Sequence, residues 1–451
     1  MGRPELARAR RRRGMSQEVA AEAVGVSPTT WARWERGEQG VRARHRARMA
    51  LVFQVDSTEV ERWIEGWAFG ETSSWPLVDC GGVSLAATVK SAEHLWRFEM
   101  DPSRRHLLAT LPFMPAALGE WLTSWNYGLS VAPATAHDSG PRVGHADVGR
   151  ITEARKAFSQ MDQQFGAGLV RPVIIKYLNS IVAPLLHGRY DTRVGAALMT
   201  AAAGMTELAG WTAFDLGRHG QAQLHFGQAL KLAKAGDDSL TGAWVLTTLT
   251  QQAIYLREPT WALWLARAAV DTARRGQAPP RVLALTLVKE AGAMAVQAGA
   301  AERHDEHGAR QVERLLLEAE RLHAQGPADR DPAWLPSYGE PGFTAAVGSC
   351  WRMIGEHRRA AACAEKAMRE YGERFPRAMR FTQVNAAEAQ LGMGELEQAL
   401  DTARAVIPSA KSLTSIRLVE RVREFSGGLE PYGKSMLVRE FRDHLNSELA
   451  A

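Results

Sequence analysis

Cysteine is almost missing from this sequence of 451 residues: Cys80, Cys350 and Cys363 stand far apart, with no CxxC pair. That excludes a disulfide framework and a thiolate zinc site, and it fits a reducing compartment. No stretch reaches the ~18 uninterrupted apolar residues of a spanning helix, and the N-terminal charges are not followed by an apolar run. A cytoplasmic protein without a membrane partner is therefore expected. Ser103-Arg104-Arg105-His106-Leu107-Leu108 resembles a twin-arginine export signal, but it lies deep in the chain and Pro112 and Pro115 break the apolar segment after it. HExxH, GxSxG and phosphate-cradling glycine loops are also lacking. The densest group of ligand-type residues, His304-Asp305-Glu306-His307, reads as a charged turn before a helix. No catalytic residue, metal or cofactor is expected, and hence no enzyme.

What is present is a charge imbalance. The net charge is +5, yet residues 1–48 carry twelve arginines and five glutamates, or +7. A basic block of this kind meets an anionic polymer or a membrane surface. Its confinement to one end argues against a general compositional bias.

The same segment has helix punctuation. Glu5 to Arg13 reads as a basic helix ended by Gly14, where glycine tolerates the left-handed turn. Ser16 caps a second helix over Gln17–Val24, whose apolar face is read as Val19, Ala20, Ala23 and Val24. Gly25 and Val26 turn the chain, Ser27 caps again, and Pro28 opens a third helix that runs through Trp31 and Trp34 towards Gly37. Ala21 is small where the two helices cross, and Gly25 permits positive φ. A fourth helix is expected around Ala43–Phe53 and a fifth from the Ser57 cap to about Gly66.

Met15-Ser16-Gln17-Glu18, Ala21, Gly25-Val26-Ser27 and Trp34-Glu35-Arg36-Gly37 together resemble the Xre/Cro repressor-like helix-turn-helix family. The resemblance implies a five-helix, lambda-repressor-like unit over 1–66 that binds a double-stranded DNA operator, with the third helix entering the major groove. Trp31 and Trp34, facing inward, replace the aliphatic residues usual there, and residues 39–48 lack the family's proline-bearing turn. Arg33 is then the leading base reader, since a guanidinium pairs bidentately with a guanine edge. Gln17, Thr29 and Pro28 would lie beside it. Arg10, Arg12, Arg13, Arg36, Arg42 and Arg44 would meet phosphates, giving affinity and salt dependence without sequence choice.

Residues 67–150 form a connecting region with helical character only at 90–100 and 105–127. Its tryptophans (Trp67, Trp75, Trp96, Trp121 and Trp125) are dense for a linker, which points to packing on the chain's own helices or to a dimer contact.

From 151 to 451 the sequence is alanine-, leucine- and arginine-rich and cut by small turns. Gly217, Ala222, Phe226 and Ala229 share their offsets with Gly355, Ala360, Ala364 and Ala367, and with Gly394, Ala399, Ala403 and Val406. Arg257 replaces the glycine in a weaker copy ending in Ala262, Ala266 and Ala269. These offsets resemble the tetratricopeptide repeat. The fold class expected is thus all-α, a helix-turn-helix unit followed by a tetratricopeptide-like solenoid, closed by a capping helix with Met436, Leu437, Phe441 and Leu445 on its face. Such arrays leave a concave groove. Asn179, Gln251, Gln252, Gln383, Asn385, Arg352 and Lys176 are its candidate lining. The two resemblances together imply a regulator of actinobacterial type, acting as a homodimer, whose repeat domain takes a peptide, small-molecule or protein effector. The alternative is a repeat-based adaptor whose helix-turn-helix is a packing or protein-binding module.

Overall fold

A computed structural model of the chain describes residues 3–41, 43–53, 55, 60, 63, 84–128, 140–299, 306–335, 339–372 and 375–449. The chain divides into two compact units, Met1–Trp75 and Pro76–Ala451. Among the described residues it is all-helical, with no β-strand beyond an isolated bridge between Arg142 and Arg189.

In the first unit, α1 is Pro4–Arg12, α2 Gln17–Val24, α3 Pro28–Glu35 and α4 Ala43–Phe53. Ser16 and Ser27 cap α2 and α3 by accepting from the backbone N–H of Val19 and Thr30. Gly25 sits at φ 79°, and the Val26 N–H reaches back 2.9 Å to the Ala21 carbonyl, which closes the turn between them. Ala20, Ala21, Val24, Trp31, Trp34 and Phe53 are buried together, with Val60 and Trp63 in the same core. The expected buried face of α2 needs one correction: Val19 points outward and is 49% exposed, and Ala21 takes the inner position. A 100° step per residue cannot turn both Val19 and Ala21 inward in so short a helix. Apart from Val60 and Trp63, most of the expected fifth helix lies outside the described residues.

The second unit begins well before residue 151. Helices α5 (Leu85–Met100), α6 (Pro102–Ala109) and α7 (Pro115–Tyr127) pack on the array that follows, so these parts of the region read as a connector belong to the helical body. The array runs α8 (His145–Phe165), α9 (Ala167–Tyr177, continued by a wide turn to Leu186), α10 (Thr192–Asp215), α11 (His219–Ala235), α12 (Ser239–Tyr255), α13 (Pro259–Arg275), α14 (Pro280–Gly299), α15 (Glu306–His323), α16 (Gly339–Met353), α17 (His357–Tyr371), α18 (Pro376–Gly392), α19 (Leu396–Arg404), α20 (Ile407–Ser412), α21 (Ile416–Gly428) and α22 (Met436–Leu449).

Close approach explains how α7 docks. Trp121 lies over Gly227 and Trp125 over Gly242, positions where a Cβ would collide with the indole. The Trp125 Nε1–H then donates to Thr272 Oγ1 at 2.9 Å, and Gln223 both accepts from the Met114 N–H and donates to its carbonyl, each at 2.8 Å. Deeper in, Glu99 of α5 meets Arg171 at 2.7 Å and also His225, all three buried. Burial opposes ionisation of Glu99, but the Arg171 guanidinium and His225 overcome it and hold the carboxyl down at about 2.

The hairpins repeat one turn. After α10, α11, α12, α13, α16 and α18, an N–H bonds back to a carbonyl five residues earlier, as in Arg218 to Ala213 and Glu258 to Ala253, both at 2.9 Å. The residue between is left-handed each time: Gly217, Gly355 and Gly394, but also Asp237, Arg257 and Gln277. Arg257, at φ 56°, thus holds the glycine's place in the copy that lacked one. The small residues after each glycine (Ala222, Ala229, Ala360, Ala367, Ala399 and Ala403) are buried where helices cross.

Two helices, Ala167–Leu186 and Pro280–Gly299, are long and apolar enough by composition to cross a membrane. Here they supply core residues to the array and carry Arg171 and Lys289. The last helix, α22, corrects a second expectation. Its inward face is Val438, Phe441 and Leu445, whereas Met436 is 69% exposed and Leu437 37%.

Candidate DNA-binding face and central cavity

The outward surface of α3 carries Pro28, Thr29 and Arg33, all exposed. Thr29 and Arg33 stand one helical turn apart, and Trp31 and Trp34 behind them anchor the helix in the core. The Arg33 carbonyl accepts from the Glu38 N–H at 3.0 Å, while its exposed guanidinium makes no hydrogen bond or ion pair with another described residue and is available to an external acceptor. Gln17 is held differently. Its Nε2 donates to Glu35 Oε2 at 2.6 Å, which ties the start of α2 to the end of α3.

Glu35 is the hub that sequence reading missed. It accepts from Arg10 Nε at 2.7 Å, from Arg10 Nη2 at 3.3 Å, from Gln17, and from the Trp31 indole N–H at 2.8 Å. One carboxylate therefore joins three helices. Burial works against its charge, but the bonds from Arg10, Gln17 and Trp31 outweigh burial and hold the carboxyl below the usual range. The indole bond gives Trp31 a polar role that an aliphatic residue could not fill.

The hub takes Arg10 out of the arginines expected to be free for phosphate contact. Arg10, with 12% of its side chain exposed, is committed inside the unit to Glu35 and to the Met15 carbonyl. Arg13 is exposed and donates to the Phe53 carbonyl. Arg36 is exposed and paired with Glu38 at 2.7 Å, a solvent-facing contact of little strength. The side chains of Arg12 and Arg44, and all of Arg42, lie outside the described residues. Arg3, not singled out in the sequence, clamps the far end of α3 by donating to the Trp34 and Gln39 carbonyls at 3.0 and 2.8 Å.

In the helical body, the first helices of successive hairpins line a half-open cavity of about 790 Å³. It is lined from α8, α10, α12, α14, α16, α18 and α21, and includes Trp211, Trp244, Tyr255, Trp334 and Phe381. The array curls until its ends meet. Arg377 of α18 reaches Asp162 of α8 at 3.0 Å and Asp215 of α10 at 2.7 Å, Arg417 of α21 lies 3.6 Å from Asp215, and Tyr255 of α12 donates to Glu420 of α21. Seven cationic and four acidic side chains line the cavity.

Only some of the expected groove residues arrive there. Gln251, Asn385 and Arg352 line the cavity. Gln252, the next residue after Gln251, is turned away and donates to the His219 carbonyl at 2.8 Å, because neighbours on a helix point about 100° apart. Asn179 is taken up by the carbonyls of Trp96 and Ile175, Gln383 accepts from Arg380, and Lys176 is exposed outside the cavity. Glu306 pairs with Arg310 at 3.0 Å and His307 bonds Gln311 at 2.7 Å; His304 and Asp305 lie outside the described residues. Among the described residues no three His, Cys, Asp or Glu side chains are grouped to hold a metal ion.

The closure has a pH signature. Burial, reinforced by the nearby Asp215, lifts the Asp162 carboxyl to about 6 against the pull of Arg377. A carboxyl raised above its unfolded value of about 3.9 favours the folded state while protonated, and that contribution is lost as pH rises through about 6. Urea unfolding of the full chain should therefore show wild type losing stability relative to Asp162→Asn between about pH 4 and pH 6. A constant difference across that range would contradict the assignment.

No curated protein matches the sequence. Residues 4–63 match a family described as a helix-turn-helix domain, so the chain carries at its N-terminus the kind of domain found in DNA-binding regulators.

Proposed function

We propose that this chain is a transcription regulator that reads a duplex operator through α3 and binds an effector in the cavity of its helical body. The observation that carries the reading is the exposed Thr29–Arg33 face on a helix anchored by two buried tryptophans, within the helix-turn-helix domain. The repeated left-handed turns and buried alanines support the likeness to tetratricopeptide hairpins. The Xre-like resemblance favours a homodimer on two half-sites about one helical turn apart, acting in the cytoplasm. Binding rather than catalysis is the role assigned to the cavity, because its carboxylates are held in ion pairs by arginines.

The test begins with duplexes selected from a random pool by the full-length protein. Arg33→Ala should relax preference at one base pair by about 1–3 kcal/mol, while Arg36→Ala should weaken all duplexes alike and reduce the salt slope by about one phosphate. If the intact chain selects no duplex over random DNA at physiological salt, the regulator reading fails.

A further inference from the structure

Around the cavity every lining carboxylate is paired with an arginine. Glu207 pairs with Arg155 at 3.2 Å, Asp162 with Arg377 at 3.0 Å, and Glu388 and Glu424 with Arg421 at 2.6 and 2.8 Å. Lys289 on α14 belongs to no such pair. No carboxylate of the described residues lies within ion-pair distance of it, and its Nζ donates instead to the neutral Gln251 Oε1 at 2.6 Å. Its charged neighbours do not help. Burial pushes the Cys350 thiol up to about 12, so it brings no negative charge at neutral pH, and Arg417 adds a second positive one.

Arg417 is itself poorly satisfied. It is 6% exposed, its guanidinium sits 4.0 Å over the Phe214 ring, and its Nε and Nη1 have no hydrogen-bond partner. Asp215, 3.6 Å away, is shared with Arg377. Arg352 adds a third: its Nε lies 3.1 Å from Glu388 but off the line needed for a hydrogen bond. Arg417 is buried, Lys289 and Arg352 are half-buried, and cations drawn out of water without a counter-ion or full hydrogen bonding are costly to maintain. An anion entering here would recover that cost.

We propose that the cavity takes a small organic anion, with Lys289 as the counter-ion of its acidic group and the aromatic walls covering a flat apolar body. The volume of about 790 Å³ suits a small molecule. The inference rests on the reading of the cavity as an effector site and specifies what that effector is. Burial lowers the Lys289 ammonium to about 8, so anion affinity should weaken as pH rises above that value.

The full-length protein can be titrated with 8-anilinonaphthalene-1-sulfonate, a flat aromatic anion, and with N-phenyl-1-naphthylamine, the same ring system without the sulfonate. The anion should bind at one site at least ten-fold more tightly than the neutral probe. Lys289→Gln should erase that preference and its decline above pH 8 while leaving the neutral probe within two-fold, which also reports an intact cavity. Lys289→Arg should retain the preference, and Lys366→Gln, on the exterior, should change nothing. Equal affinity for the two probes, or an anion preference indifferent to Lys289→Gln, would overturn the proposal. Operator binding by the same samples separates the two readings. Anion binding at Lys289 without any change in operator affinity would keep the site and remove its effector role. A neutral preference that nevertheless alters operator affinity would do the reverse.

Discussion

Glu35→Ala should cost the N-terminal unit about 3–5 kcal/mol, most of what a unit of this size has in reserve. The substitution leaves the Arg10 guanidinium largely buried without its carboxylate and removes the acceptor for Gln17 and the Trp31 indole. Breaking one side of a buried pair costs more than the pair contributes, because the remaining charge stays desolvated. Hydrogen exchange on the full chain is the direct measurement: protection should collapse across residues 4–53 and stay unchanged in the helical body. Duplex affinity should fall with it, although Glu35 itself need touch no DNA. Glu35→Gln keeps oxygen and shape and should cost less. Since the carboxyl is held below its usual range, its contribution is present above about pH 4 and lost as pH falls through the lowered value. Protection that survives in Glu35→Ala would mean that the apolar core alone holds the three helices.

That hub marks the limit of what the sequence disclosed. Helix positions in the first unit were legible because capping serines, a proline at N1 and glycines at the turns act locally, within three or four residues. So were the hairpins, where Gly217, Gly355 and Gly394 repeat with their alanines. Arg10, Gln17 and Glu35 are 25 and 18 residues apart, and nothing local marks them as one cluster. An arginine in a basic helix looks the same whether it meets a phosphate or a buried carboxylate. Where the region before residue 151 packs was hidden for a related reason. The purpose of Gly227 and Gly242 shows only once Trp121 and Trp125, more than a hundred positions earlier, are placed over them. The groove residues divided according to helical phase, with Gln251 inside and Gln252 outside. The cavity's own charges, Lys289, Arg377 and Arg417, went unrecognised because closure of the array decides which faces are enclosed.

Closure itself can be tested by Arg377→Met. Asp162 and Asp215, 2% and 0% exposed, would be left beside each other with only Arg417 near them. The expected loss in the helical body is again about 3–5 kcal/mol, read by urea unfolding, with exchange protection falling first in α8 and α18, the helices that the guanidinium joins. Adding Asp162→Asn to Arg377→Met should restore most of it, since Arg417 and Asp215 then remain as a balanced pair and no carboxylate is stranded. The double variant also separates stability from ligand retention. If the closed ring is what keeps solvent out of the cavity, Arg377→Met should lose the one-site sulfonate binding, and the double variant should regain it along with stability. Recovery of stability without recovery of binding would place Arg377 in the ligand's contact surface instead. An Arg377→Met protein that unfolds like wild type would show that the apolar contacts of the array close it unaided.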